Sequence, residues 1–371
     1  MPAAPKELAE AYRGWLDAQK QALDIMEGVR QPGTDTDWAE GYRWLARIAC
    51  LVEEWILEHE DPLHPTIFHS QGPTRKLMVD NPDVNYWFAS IDPKHTYRLH
   101  GSRGTAPYLG LTFGTDVFRG ARGGRTGTLV QTNVDRFGVV GDDGTFELFV
   151  GPDAPGVPEG ATRIDLPDGA TQLAVRETFT NRAVEVPSEL VIELVGEAPR
   201  KRAEPEIVAE RLRTMSRFLL FVTNTCKMMW EGLTVVNAIQ GAPGRKHVEA
   251  QEDENRTHSD PDMVDMVGEW RLGGGEALDV TILPPAKPFT YWGLVIINPW
   301  MESYDYRYAP TNLSNGTAVP NDDGSWTLTI AAEDPGTPNW LDTGGRREGY
   351  MLLRWVLAED VPTPVCTLRT L

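Results

Sequence analysis

Apolar residues recur at helical spacing on both sides of a Gln31-Pro32-Gly33-Thr34 break within residues 6–60. From about residue 66 to residue 198 the spacing changes to an alternation of apolar and polar positions, punctuated by Gly, Pro and Asp-Gly. An Asp143-Gly144 pair between two such runs is typical of a hairpin turn. The pattern therefore predicts an N-terminal helical hairpin over residues 1–62 and a first module of antiparallel strands over residues 63–200.

The most regular pattern in the chain lies in residues 205–238. Its apolar positions are spaced alternately four and three apart, at Val208, Leu212, Met215, Leu219, Val222, Cys226, Met229, Leu233 and Val236. This heptad seam predicts a helix of about 50 Å, because a helix rises about 1.5 Å per residue. The seam serves either as a spine between β modules or as the contact surface of a homodimer. Residues 201–262 are thus a long helix and an acidic linker, and residues 263–371 a second β module.

The two β regions resemble each other in sequence. Residues 142–156 align without a gap with residues 322–336, and six of the fifteen pairs are identical. A repeat of about 180 residues is too long for a solenoid unit, so it indicates a duplicated module. We therefore predict an α+β fold, mainly antiparallel β. It has two related β-sandwich or jelly-roll-like modules joined by the long helix, behind the helical hairpin.

Charge and cysteine content restrict the function classes. Asp plus Glu number 54 and Lys plus Arg number 35, which gives a net charge of −19. Such a surface repels phosphate backbones and anionic lipids, so we expect no nucleic-acid or membrane partner. No apolar run is long enough for a transmembrane helix, and the first residues lack a signal-peptide pattern. Three dispersed cysteines without a CxxC pair favour a reducing cytoplasm.

A basic cluster in the first half is the strongest candidate for chemistry. Arg98 and His100 are two residues apart on a predicted strand, so they project from one face, and Arg103 follows closely. Alignment of the halves places their counterparts near Thr281 and Leu283, so the basic pair is private to the first half. We expect His100 as acid/base and the arginines as an anion clamp, with surface salt bridging as the alternative.

A second cluster is private to the other half. An aromatic platform beside an amide and a carboxylate suits a sugar-like or polar cyclic ligand, the alternative being a buried Trp and its amide partner holding a turn. The predicted substrate-binding residues are Asn339, Trp340, Asp342, Arg354, Trp300 and Tyr306.

Two acidic or histidine-rich segments contain metal-ligand residue types. His59, His64 and His69 recur at five-residue intervals beside carboxylates, but prolines interrupt the segment. A second group with oxygen ligands comprises Asp260, Asp262, Asp265 and Glu269. An acidic helix start is the alternative for the second group, and we assign no metal to either.

An ordered set of short motifs in the last third carries a family resemblance. The motifs are Tyr291-Trp292-Gly293-Leu294, Tyr306-Arg307-Tyr308, Gly324-Ser325-Trp326-Thr327-Leu328-Thr329-Ile330, Pro335-Gly336, Asn339-Trp340-Leu341 and Leu353-Arg354-Trp355. Together they resemble the bacterial domain of unknown function 1214 family, which is often joined to a domain numbered 1254. Asp342 stands where the family commonly has a proline, and Trp355-Val356-Leu357 replaces its aromatic-Trp-Pro ending. The resemblance implies a β-rich fold and no particular activity.

These observations favour an enzyme that acts on a small polar cyclic or anionic molecule by hydrolase- or lyase-type acid/base chemistry. We expect its pocket between the β modules and the long helix, where Trp340 and Asn339 orient the substrate. The alternative is a non-catalytic protein that binds a glycan or other ligand, or that assembles as a homodimer through residues 205–238. The sequence identifies no cofactor.

Overall fold

The computed structural model describes residues 5–118, 127–232, 235–239 and 262–371. Its helices are α1 (Lys6–Glu27), α2 (Asp35–Glu58) and α3 (Pro205–Gly232). The strands of the first module are β1 (Phe68–His69), β2 (Val84–Ser90), β3 (Tyr97–Ser102), β4 (Tyr108–Gly114), β5 (Thr128–Asn133), β6 (Thr145–Val150), β7 (Arg163–Ile164), β8 (Gln172–Thr178) and β9 (Glu189–Leu194). Those of the second module are β10 (Met263–Arg271), β11 (Glu276–Ile282), β12 (Tyr291–Ile297), β13 (Asn312–Ser314), β14 (Trp326–Ala331), β15 (Trp340–Asp342), β16 (Glu348–Val356) and β17 (Val365–Thr370).

Apart from the additional edge strand β1 in the first module, the two modules have the same strand order, which confirms the predicted duplication. In the first module the inner sheet runs β1-β2-β8-β4-β5 and the outer sheet β7-β6-β3-β9. In the second module the inner sheet runs β10-β16-β12-β13 and the outer sheet β15-β14-β11-β17. Each outer sheet contains one parallel pair, β6 with β7 and β14 with β15. Each module is therefore a sandwich, with its own apolar core between its two sheets.

The aligned Asp-Gly segments form matching turns in the two modules. Asp143 accepts hydrogen bonds from the N–H and hydroxyl of Thr145, and Asp323 accepts the same pair from Ser325. The intervening glycines have φ angles of 79° and 81°, a conformation that favours glycine. The sequence predicted a hairpin turn at Gly144. The turn does not close a hairpin, because β5 and β6 belong to different sheets.

The helices cover the inner sheets of both modules with one shared apolar core. Residues of this core come from α1, α2 and α3 and from strands β2, β8, β12 and β16. Its large side chains include Trp15, Trp44, Trp55, Phe218 and Trp230. This packing joins the three helices to the inner sheets of both modules.

The seam of α3 faces the interior of its own chain. Leu212, Met215, Leu219, Val222 and Cys226 are buried in the shared core, and Leu219 is 0% exposed. The seam is therefore the structural spine, and these side chains are not available to a second copy. Among the described residues, no helix has the length and apolar character needed to cross a membrane.

The helix described ends at Gly232, earlier than the predicted residue 238. Beyond it, the backbone of Val235 and Asn237 pairs with Glu269 on β10, the edge strand of the second inner sheet. This pairing gives hydrogen-bond partners to the backbone of residues 235–237 and to the open edge of β10. It therefore competes with continuation of the helix. At the start of α2 a capping box forms between Thr34 and Asp37.

Candidate functional site

Arg98 and His100 project from one face of β3, as their spacing predicts, and carboxylates on both neighbouring strands contact them. Arg98 Nε lies 2.5 Å from Glu147 Oε1, and its Nη1 lies 3.2 Å from Glu193 Oε2. His100 Nε2 lies 3.3 Å from the same Glu193 oxygen. These contacts match the alternative of salt bridging across the outer sheet.

The second module supports the same interpretation. The strand pairing aligns Arg98 with Asp279 and His100 with Thr281, two residues before the counterparts expected from sequence. Asp279 forms an ion pair of 2.7 Å with Arg369 Nε, so both modules carry an ion pair there with the charges reversed. Arg98 thus occupies a position that each module uses to link strands of its outer sheet.

Arg103 pairs with Asp135 and does not join Arg98 and His100. It is buried, and its Nε and Nη2 each lie 2.8 Å from an oxygen of Asp135. A bidentate pair of this kind leaves the guanidinium two fewer donors for an anion. Among the described residues, no hydrogen bond joins Arg103 to His100.

Asn339, Trp340 and Asp342 hold turns around β15. The buried Asn339 side chain accepts from Val319 N and donates to Val319 O and Thr327 O. Trp340 Nε1 donates to Ala331 O at 3.0 Å, and Asp342 accepts from the backbone of Gly344. These contacts correspond to the turn-holding alternative, and they engage the Asn339 amide, the Trp340 indole N–H and one oxygen of Asp342.

Trp300 and Arg354 are also engaged inside the protein. Trp300 is 1% exposed, stacks on Trp44 and donates from Nε1 to Asp37 O at 2.6 Å. Arg354 forms a bidentate pair with Asp265 and donates to the Tyr86 hydroxyl at 2.7 Å. Of the predicted substrate-binding residues, Tyr306 and Asp342 each keep a polar atom without a hydrogen-bond partner at a partly exposed position in the described structure, the Tyr306 hydroxyl and Asp342 Oδ2.

The three histidines have separate surroundings. His59 hydrogen-bonds Thr66 and stacks on Phe68, while His64 contacts Asp61 and Pro199 O. Within the described ranges, no three His, Cys, Asp or Glu side chains come together to hold a metal ion. Asp260 lies outside the described residues. Of the other predicted oxygen ligands, Asp265 pairs with Arg354 and Glu269 with Arg30 and Arg271.

Two reciprocal polar joints connect the modules. In one, Asp83 of the first module accepts from the Tyr291 hydroxyl and the Asn312 amide of the second, each at 2.9 Å. Burial raises the pKa of Asp83 to about 6, although these two hydrogen bonds and the charge of Arg182 oppose the rise.

In the other joint the acceptor comes from the second module and the donors come from the first. Asp262 of the second module accepts from the Tyr108 hydroxyl at 3.1 Å and the Gln131 amide at 2.6 Å, both from the first module. In each module the tyrosine lies across a glycine two residues further along its strand, Gly110 or Gly293, where a Cβ would clash with the phenol. The repeated Tyr-x-Gly pattern therefore builds the joints.

A strained segment next to the Asp83 joint is held by a buried lysine. Val79 adopts φ 67°, unusual for a β-branched residue, and its N–H donates to the carbonyl of Met301, which adopts φ 61°. Lys76 Nζ donates to the Ser303 carbonyl, the Ser303 hydroxyl and the Tyr304 carbonyl. Burial lowers the pKa of Lys76, while the charges of Asp80 and Glu302 oppose the change. Its three acceptors match the three N–H donors of an ammonium, so Lys76 acts as a clasp on this segment.

The groups with free polar atoms lie beside this clasp. Arg182 donates from Nε to Pro82 O at 2.5 Å and from Nη2 to Asn85 Oδ1 at 3.0 Å, and its guanidinium stacks on Phe179 at 4.1 Å. No described residue accepts from its Nη1, and Arg182 is an exposed residue. Crowding around the guanidinium lowers the pKa of Arg182 through desolvation, although the side chain reaches the surface.

Tyr306 and His69 are close enough to Arg182 to interact with it electrostatically. The Tyr306 ring lies 5.1 Å from Lys76 Nζ, and its hydroxyl has no partner in the described part of the chain. Desolvation, followed by the charges of Arg182 and Arg75, lowers the pKa of His69. Arg182, Tyr306 and His69 therefore form a surface rich in hydrogen-bond donors at the junction of the two modules, in a protein that is strongly acidic.

The C-terminal third has a recognisable family. Residues 268–360 match the family described as Protein of unknown function (DUF1214). The match begins within β10 and ends just after β16, and it confirms the resemblance drawn from the sequence motifs. No curated protein matches the chain.

Two solved structures resemble the whole chain. One is an uncharacterised protein from Burkholderia cenocepacia, with 26% identity, a TM-score of 0.86 and 98% of each chain covered. Another is the VPA0106 protein of Vibrio parahaemolyticus, with 12% identity and a TM-score of 0.51, covering 89% of this chain and 98% of that one. The second shows the fold alone, and neither description gives a ligand or reaction.

Sequence reasoning missed Arg182, although the repeat contained a signal for it. The alignment that pairs Arg176 with Arg354 places Arg182 opposite Asp360 of the DUF1214 segment, so this arginine is private to the first half. Arg182 comes from the first module and Tyr306 from the DUF1214 segment. Their proximity depends on the joints between modules, which sequence spacing does not predict.

Proposed function

We propose that this protein binds a small organic anion at the junction of its two β modules. The observation that carries the proposal is Arg182, whose guanidinium is fixed by Pro82, Asn85 and Phe179 and keeps one arm, Nη1, without a protein partner. A fixed planar guanidinium suits the oxyanion of a carboxylate, and little conformational entropy is lost when it binds.

Charge considerations support this site. In a chain of net charge −19, an anion is repelled by most of the surface, so a cation with an unoccupied donor marks where it can approach. The carboxyl groups of Asp83 and Glu177 also act on the charge of Arg182, but neither accepts a hydrogen bond from its Nη1. The neighbouring arginines are compensated, since Arg75 pairs with Glu54 and Arg307 with Asp305. Tyr306 supplies a neutral donor from the opposite module.

Recognition of an anion here fits the geometry better than acid/base catalysis on β3. There, Glu147 and Glu193 already contact Arg98 and His100. At the junction Lys76 is fully hydrogen-bonded, and both oxygens of Asp83 accept hydrogen bonds. A cytoplasmic location belongs to the same proposal, because Cys50, Cys226 and Cys366 are all free thiols.

Calorimetric titration with a panel of carboxylates tests the proposal. We compare the wild-type protein with Arg182→Gln, which removes the charge, and with Arg307→Gln, a nearby exposed arginine already paired with Asp305. A charge-assisted hydrogen bond contributes about 1.5–3 kcal/mol, so Arg182→Gln should weaken binding roughly 10- to 100-fold. Arg307→Gln should bind as the wild type does. Equal affinities of the wild type and Arg182→Gln, or no binding of any carboxylate by the wild type, would overturn the proposal.

A further inference from the structure

The surface beside Arg182 carries two aromatic rings. Asn85 and Trp87 are two residues apart on β2, so their side chains project from the same face at a separation of about 7 Å. Arg182 is tethered to Asn85 on this face, and its charge acts on His69. His69 is the cross-strand partner of Trp87, and the two ring centroids are 5.7 Å apart.

These rings are accessible and have no polar partners. Trp87 is half-buried against the core of the first sandwich, while His69 is exposed. Neither the indole N–H nor the imidazole hydrogen-bonds to any described residue. The indole N–H is not a fully buried atom, and His69 is an exposed residue. In the second module the position of Trp87 is taken by Met266, which is 0% exposed, so the ring surface is private to the first module.

The charge of the site limits the ligand to a monoanion. Arg182 is the cation with a free donor at this surface among the described residues, whereas Arg75 is paired. A phosphate or a dicarboxylate brings more charge than one guanidinium compensates, and the surrounding acidic protein disfavours the excess.

We infer that the ligand is an aromatic monocarboxylate, whose ring contacts Trp87 and His69 while its carboxylate binds Arg182 and Tyr306. This inference rests on the proposed function and adds the class of ligand. Aromatic rings prefer offset or edge contacts with other rings, and a carboxylate prefers two donors in a fixed orientation. The surface supplies two rings together with the donors of Arg182 and Tyr306.

The test compares phenylacetate, cyclohexylacetate, acetate and inorganic phosphate by calorimetry on the full chain. Phenylacetate should bind at least 10-fold more tightly than acetate and several-fold more tightly than cyclohexylacetate, with phosphate weaker than phenylacetate. Trp87→Leu should abolish the difference between phenylacetate and cyclohexylacetate, and Trp87→Phe should keep most of it. His69→Leu, at an exposed position, provides a second variant whose fold is not at risk and should reduce the phenylacetate advantage.

The outcomes separate the two proposals. If acetate and phenylacetate bind equally and Arg182→Gln weakens both, the aromatic inference fails while anion binding at Arg182 stands. If the phenylacetate preference persists in both Trp87→Leu and His69→Leu, the ring surface is assigned wrongly. If phosphate binds most tightly, the monocarboxylate class is wrong. If no anion binds the wild type, both proposals fail.

Discussion

Asp83 should make the stability of this protein depend on pH in a measurable way. Burial is the main cause that raises its pKa from the ordinary value of 3.8 to about 6, while the Tyr291 hydroxyl, Arg182 and the Asn312 amide lower it. The folded state therefore holds the proton more tightly than the unfolded state. The resulting stabilisation is fully present below about pH 4 and is lost as the pH rises through about 6.

The magnitude follows from the two pKa values. A rise from 3.8 to about 6 corresponds to about 3 kcal/mol between the fully protonated and fully ionised limits. About half of this, 1 to 2 kcal/mol, should be lost between pH 5 and pH 7.5. Asp83→Asn cannot ionise, so the variant should lack this part of the pH dependence.

Urea unfolding of the wild type and Asp83→Asn at several pH values between 5 and 7.5 measures the difference. Other buried carboxyl groups with raised pKa values, including Glu302 and Glu348, contribute equally to both proteins and cancel in the comparison. Asp262→Asn is the matched control, because it removes the corresponding acceptor at the other joint, where Arg136 faces the carboxylate. If Asp83→Asn loses stability with pH as steeply as the wild type, the reasoning about the Asp83 joint is wrong.

Three further perturbations test the fold. Leu219→Ala should lower the free energy of unfolding by about 2–5 kcal/mol because Leu219 is fully buried, whereas the 64% exposed Met228→Ala should change it by less than about 0.5 kcal/mol in the same urea titration. Tyr108→Phe should cost about 1–3 kcal/mol in thermal unfolding, since Asp262 loses a donor in a buried joint; an unchanged Tm would contradict that role. Thr34→Ala should cost about 1 kcal/mol by chemical denaturation, and no effect would show that the α2 capping box is dispensable.

Local sequence patterns were sufficient for the duplication and for most elements. The Asp-Gly turns and the Tyr-x-Gly pattern recur because each fixes a backbone geometry or a close approach that few other residues permit. The heptad seam of α3 likewise predicted a long helix with a buried face. Its partner could not be predicted, because an apolar seam buries equally well against α1 and α2 or against a second copy.

The candidate site was harder to predict. Charged residues that are far apart in the sequence form ion pairs in the fold, and their sequence spacing does not reveal these pairs. Arg98 is private to one half by residue type, yet an ion pair of opposite polarity between Asp279 and Arg369 occupies the same position in the other half. A difference in residue identity between two modules therefore does not by itself indicate function. The informative difference is a polar group that remains unpartnered after folding.

Arg182 meets that criterion, whereas Asn339 and Arg354 do not. The duplication explains why such a residue lies at the junction. Both modules need the reciprocal Asp-Tyr-amide joints for their packing. The residues at those positions are therefore constrained by the packing of both modules. A loop just beyond a joint is constrained by neither sheet, and a change there can add a donor without loss of the fold. Arg182 lies in such a loop after β8, fixed by Pro82 and Asn85 and open on one side. The asymmetry of a duplicated fold is thus most informative at its module junction.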